Sequence, residues 1–294
     1  MLKSRYVTIA LFVAVVLAVG CVSSEIASNN TKAAPNELSR SEEQMQQQKQ
    51  PFFQNLASDF EMPVDDAGKL LLREYGAVFV ARGGATPPHK VVFMDEEDVL
   101  AFQRRAGSKS ARFGSANVTL QPAALDALVA AANKARAQKL SITPRGSDSA
   151  RRGYNQTVTL WGSRVGPGLA HWQARGKLTK QEADAIRAMT AFEQVPVILG
   201  LESKGLYFAK SLDKSIIYSV APPGTSQHLA MLAFDVAEFN NPRVRAILNE
   251  HGWFQTVVSD LPHFTYIGVS EEELPALGLK KIVNSGRTFW VPDI

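Results

Sequence analysis

Two short stretches bring together side chains that could act chemically as a set. The first, from Gly224 to Asp235, holds His228 seven residues before Asp235, and the second, from Ser259 to Tyr266, holds Asp260 three residues before His263. The back half of the first stretch alternates like a strand, so Met231, Ala233 and Asp235 should share a face with small and apolar neighbours. A carboxylate turned inward costs several kcal/mol unless a cation or metal pairs with it. Two histidines and one carboxylate form an N/O set that zinc accepts, with a fourth position open to water. Such a site polarises a carbonyl and activates water, the chemistry of amide hydrolysis without a covalent enzyme intermediate. Asp260, held across the Pro262 turn, is the candidate general base, a role that contributes about 10²- to 10⁴-fold. The alternative is that Asp260 caps the turn by accepting backbone N–H groups.

The pattern Ser226-x-His228-x-x-Met231-x-Ala233-x-Asp235 resembles the Ser-x-His-x-x-Gly-x-Ala-x-Asp motif of the zinc D-alanyl-D-alanine carboxypeptidases, the VanY-like peptidases. Asp260 to His263 fits the acid-x-x-His element of the same family. The resemblance implies that His228, Asp235 and His263 hold zinc and that Asp260 is the catalytic acid/base. It further implies an α+β fold, the small antiparallel sheet with flanking helices of the D-Ala-D-Ala carboxypeptidase-like, Hedgehog-type zinc peptidase core. The substrates it implies are peptidoglycan stem peptides, cut by a D,D-carboxypeptidase or related endopeptidase.

Three departures stand out. Met231 replaces the motif's glycine and is expected to narrow the pocket, while Asp260 replaces the commoner glutamate. The segment from Ile142 to Ser147 matches the family's Gly-Tyr-Arg-Ser only loosely, making Arg145 the candidate to grip a peptide's terminal carboxylate with its guanidinium fork. Ser226 lacks a Gly-x-Ser-x-Gly setting and is assigned to substrate binding or ligand orientation rather than to nucleophilic attack. The rival reading is a catalytically silent, lipid-anchored wall-binding module that keeps the fold.

These residues need elements to position them. The amino terminus differs from the rest: Lys3 and Arg5 precede an apolar run from Val7 to Val19, an export signal shorter than the roughly 20 residues a membrane span requires. Leu17-Ala18-Val19-Gly20-Cys21 resembles the lipobox of bacterial lipoproteins, which implies acylation of Cys21 and anchoring of the chain to a membrane of the cell envelope. Cys21 is the only cysteine among 294 residues, so an intrachain disulfide is excluded. The expected organisation is a signal over 1–20, a polar tether over 21–65, a small α/β accessory segment over 66–119 and the zinc peptidase-like domain over 120–294. Net charge is +4, and the first 20 residues carry Lys3 and Arg5 without an acid, leaving +2. With no basic cluster and an export signal, nucleic acid is excluded as a partner, and no obligate protein partner is inferred.

Within the folded part, 77–81 and 90–94 read as a hairpin, with helices expected over 95–105, 123–139, 179–192 and 242–251. Strands are expected at 195–199, 205–209, 216–220, 231–236, 254–258 and 264–269. This order of elements places the domain in the α+β class.

Overall fold

The computed structural model describes residues 50–294, which belong to one compact unit; the signal, Cys21 and the first part of the tether lie outside the described residues. The class is α+β. Seven helices of eight or more residues frame the described chain: α1 (Asp66–Tyr75), α2 (Glu96–Ala106), α3 (Pro122–Ala137), α4 (Tyr154–Ala174), α5 (Lys180–Ala188), α6 (Ala191–Glu202) and α7 (Pro242–Asn249). Between them lie the hairpin β1 (Lys109–Phe113) and β2 (Ala116–Leu120), a central sheet of β3 (Ala233–Asp235), β4 (Trp253–Phe254) and β5 (His263–Tyr266), and a last hairpin of β6 (Leu279–Asn284) and β7 (Arg287–Pro292).

The central sheet is small, antiparallel and ordered β3-β5-β4. It is buried on both faces, with Phe234, Trp253, Phe254 and Phe264 fully buried, although one face carries polar side chains. Register does the positioning. Asp235 pairs with His263 and Ala233 with Thr265, so the side chains of Asp235, His263 and Thr265 emerge on one face of the sheet.

Helix termini follow their local chemistry. Thr179 and Glu182 form a capping box at α5, and Thr190 and Glu193 form another at α6. The second box explains why 195–199 is the middle of a helix rather than the expected strand: a β-branched run inside a capped segment takes the helical period. The 77–81 run is likewise not a strand. Gly76–Val80 winds into a 3-10 helix buried on all sides, a setting that a short continuous apolar run does not distinguish from a buried strand. Its intended partner, 90–94, makes one isolated bridge at Lys90. The stretches 205–209 and 216–220 are also irregular, apart from a 3-10 turn at Ile216–Tyr218.

Helix α4, 21 residues long, runs through Gly162, Gly166, Pro167 and Gly168, a composition that argues against a helix. Packing overrides it: a Cβ on Gly168 would come within 2.3 Å of the Phe208 ring. Near the start of the described chain, Phe52, inside the stretch read as tether, is fully buried, and Gly278 packs against its backbone.

Candidate metal centre

His228 sits in a 3-10 turn, Gln227–Ala230, and the chain then reverses at Met231, whose backbone is left-handed at φ 56° and ψ 31°. That reversal swings His228 over the end of β3, beside the Asp235–His263 pair. It also shows what residue 231 is for. A left-handed residue costs least as glycine, which accounts for the motif's preference at this position. The Met231 side chain is fully buried and does not line the cleft, so the expected narrowing of the pocket does not occur.

The three candidate ligands converge, each offering one donor atom within 4.8 Å of the others. Asp235 Oδ1 lies 3.2 Å from His228 Nε2 and 3.2 Å from His263 Nδ1. Atoms 2.0 to 2.2 Å from zinc along tetrahedral directions stand roughly 3.3 to 3.6 Å apart, so the distance of each histidine nitrogen from Asp235 falls within a few tenths of an ångström of a metal-binding pair.

Hydrogen bonds on the far side of each ring fix which nitrogen faces inward. His228 Nδ1 is 2.7 Å from the Ala150 carbonyl oxygen, which can only accept, so Nδ1 carries the proton. Gln227 donates through Nε2 to the Tyr75 carbonyl at 2.8 Å, and its Oε1 therefore faces His263 Nε2 at 2.8 Å as an acceptor. Thr265 Oγ1 donates to the same Gln227 oxygen and accepts in turn from Thr256 Oγ1 at 2.6 Å. The result is a pair of bare lone pairs, on His228 Nε2 and His263 Nδ1, aimed at an anionic oxygen. His228 Nε2 is fully buried and makes no hydrogen bond. A cation at the common point satisfies all three groups, and this donor chemistry fits zinc.

The electrostatics agree. Burial, and after it the Arg152 charge, hold the His228 imidazole below its ordinary pKa against the pull of Asp235. Burial works against the Asp235 charge, but the imidazoles of His228 and His263, which attract and hydrogen-bond it when they are protonated, outweigh burial and hold the carboxyl well below the usual carboxylate range; a cation at the common point would take the place of those protons. Arg152 donates to Asp235 Oδ2 at 2.8 Å, leaving Oδ1 for the centre.

The centre opens on a cleft of about 280 Å³ whose lining includes Tyr75, Arg152, Arg164, Tyr218, Ser226, Gln227, His228, Asp260 and His263. Asp260 begins a tight turn: its carbonyl accepts the His263 N–H at 3.1 Å, and Gln255 braces the intervening Leu261 carbonyl at 2.5 Å. The Asp260 side chain is exposed on the cleft wall. Ser226 is buried and lines the same wall. Arg145 stands elsewhere. Its backbone N–H binds the Asp235 carbonyl at 3.0 Å while its guanidinium lies over the Phe239 ring, outside the lining of the cleft.

The groups that orient the ligands were missed from sequence: Gln227, Thr265, Arg152 and the Ala150 carbonyl. Two of them adjoin or alternate with a ligand, Gln227 beside His228 and Thr265 two residues after His263 in a strand, and those neighbours were the signal. Arg152 and Ala150 lie some 80 residues away and left none. Residues before Leu120 also reach the site. Tyr75 accepts from Gln227, and Gln103 donates to the carbonyls of Arg152 and Leu229, both at 3.0 Å.

No protein-family profile matches the chain, and no curated protein is similar in sequence. Among solved structures, the chain resembles a vancomycin resistance D,D-pentapeptidase, a VanY mutant in complex with Zn(II). The TM-score is 0.32 and the identity 16%, over 56% of this chain and 82% of that one. A superposition that loose leaves the assignment to the geometry of the site itself.

Proposed function

We propose that the chain is a zinc-dependent peptidase acting on peptidoglycan stem peptides, as a D,D-carboxypeptidase or related endopeptidase, held at a bacterial membrane by lipidated Cys21. The observation that carries the zinc reading is the meeting of His228 Nε2, Asp235 Oδ1 and His263 Nδ1 with their lone pairs turned inward. The peptide substrate and the anchor rest on the motif and the lipobox resemblance.

His228, Asp235 and His263 would hold the ion, whose contribution is to acidify water and polarise the scissile carbonyl. The protein does the rest. Gln227, the Ala150 carbonyl and Arg152 keep the ligand rings and carboxylate in one orientation, so no reorganisation is needed when the substrate enters. Asp260 takes the proton of the attacking water at its carboxylate and delivers it to the departing amine nitrogen. Its side chain is one methylene shorter than glutamate, and the Asp260-to-His263 turn sets it at the cleft wall beside the ligand histidine.

The test is hydrolysis of defined stem peptides by the purified chain, with and without chelator, beside Asp260→Asn. The expected result is chelator-sensitive cleavage that falls about 10²- to 10⁴-fold in kcat for the variant while zinc content stays at the wild-type level. Equal turnover by wild type and Asp260→Asn would remove Asp260 from the mechanism, and absence of cleavage by the zinc-loaded protein would remove the enzyme.

A further inference from the structure

The cleft holds a second charged group that the hydrolytic chemistry does not use. Arg164 lies on α4, ten residues and so about 15 Å of helix rise beyond Tyr154 at its start. It is half-buried and lines the cleft. Its Nε donates to Ser219 Oγ at 2.9 Å and its Nη1 to Ser163 Oγ at 2.9 Å. Those two bonds leave three of the five guanidinium donors free. No carboxylate pairs with it among the described residues.

The segment that fixes this guanidinium is itself built to stay in place. Ser219 follows the 3-10 turn Ile216–Tyr218, and its N–H binds the Ile216 carbonyl at 2.8 Å. Glu202, 6% exposed, accepts the Ile216 N–H at 2.7 Å, the Phe208 N–H at 2.9 Å and the Ser215 hydroxyl. From the other side the Tyr75 hydroxyl donates to the Ile217 carbonyl at 2.9 Å. A buried carboxylate and a buried phenol thus hold the turn, and the turn holds the arginine. Ser219 Oγ, accepting from Arg164, keeps its own proton to donate into the cleft, which it also lines. A held guanidinium edge beside a free hydroxyl, in a cleft, is a receptor for a planar anion.

Resting on the peptidase reading, we infer that Arg164 and Ser219 bind a carboxylate of the substrate, so that preferred peptides carry an acidic group at a distance from the scissile amide. The spacing along the peptide is read by moving the acidic residue one position at a time. Arg152 does not serve the same purpose, because its charge is paired with the carboxylates of Asp235 at 2.8 Å and Asp148 at 3.6 Å, whereas Arg164 has no carboxylate partner among the described residues.

Fluorescence anisotropy tests this independently of turnover. Two labelled peptides, identical but for Glu or Gln three residues from the scissile bond, are titrated into Asp260→Asn protein, with intact peptide verified by chromatography after each titration, and into the same protein carrying Arg164→Met or Ser219→Ala. The expected result is about tenfold tighter binding of the acidic peptide, abolished by Arg164→Met and reduced by Ser219→Ala, with affinity for the Gln peptide unchanged. Thermal melts check that each variant is folded. Placing the Glu at two or four residues instead locates the subsite. An acidic preference that survives Arg164→Met, or none at any placement, overturns the inference. Preference without cleavage by the wild type would keep this subsite and discard the peptidase, whereas cleavage without preference would do the reverse.

Discussion

Gln227 sets the protonation of the centre. Its amide is oriented by the Tyr75 carbonyl, so its oxygen accepts from His263 Nε2 and leaves Nδ1 bare. Gln227→Leu removes that acceptor and frees His263 to adopt the other tautomer, which turns an N–H toward Asp235. The account therefore expects zinc affinity, measured by competition with a chromogenic chelator, to fall 10- to 100-fold, with the fold retained. Unchanged affinity would mean that the tautomer is set by something other than Gln227. At this scale the sequence was readable where chemistry is local. His228, Asp235 and His263 announce themselves by type and spacing and converge on one point, whereas Arg145 was chosen by its place in a loop and lies over Phe239, outside the cleft lining. Arginines do not reveal from sequence which wall they face.

Among the elements, the strand register and the Met231 reversal assemble the ligands, and Glu202 at the end of α6 holds the opposite wall. Burial raises the Glu202 pKa above its usual 4.5, the hydrogen bonds from Ser215, Ile216 and Phe208 opposing this only in part. The sign follows from a raised folded-state value: the contribution to stability is fully present below about 4.5 and is lost as pH rises through the folded pKa. Denaturant unfolding of wild type and Glu202→Gln across pH 4 to 8 should show the wild-type advantage greatest at the acid end and shrinking upward. An advantage that grows with pH would contradict the assignment. The same scale shows where local patterns were too weak. Helices with a side-chain cap, α2 and α7, or a proline in the first turn, α3, were legible to within about two residues. The run at 77–81 was not, since an apolar segment covered on all sides carries neither the helical nor the strand period, and at 195–199 the exposed position is itself apolar, Pro196, so no polar residue marks the outer face of the helix. Helix α4 was hidden by its three glycines and Pro167, of which Gly168 serves close contact with Phe208 rather than chain reversal.

Across the whole molecule, residues distant in sequence close around one point: Tyr75 and Gln103 from the first elements, Ala150 and Arg152 from the approach to α4, and the ligands from the central sheet. The α+β class and the ligand triad could be read from the chain, but the enclosure of the triad could not, because it depends on long-range contacts with no local signature. The central claim is that this enclosure is a zinc site. Anomalous diffraction at the zinc absorption edge, from crystals of the purified chain grown with one equivalent of zinc, tests it most directly. The account predicts a single strong peak about 2.0 to 2.2 Å from His228 Nε2, from an Asp235 carboxylate oxygen and from His263 Nδ1. A zinc peak elsewhere with that point empty, or an ion held by only one of the three residues, would contradict it.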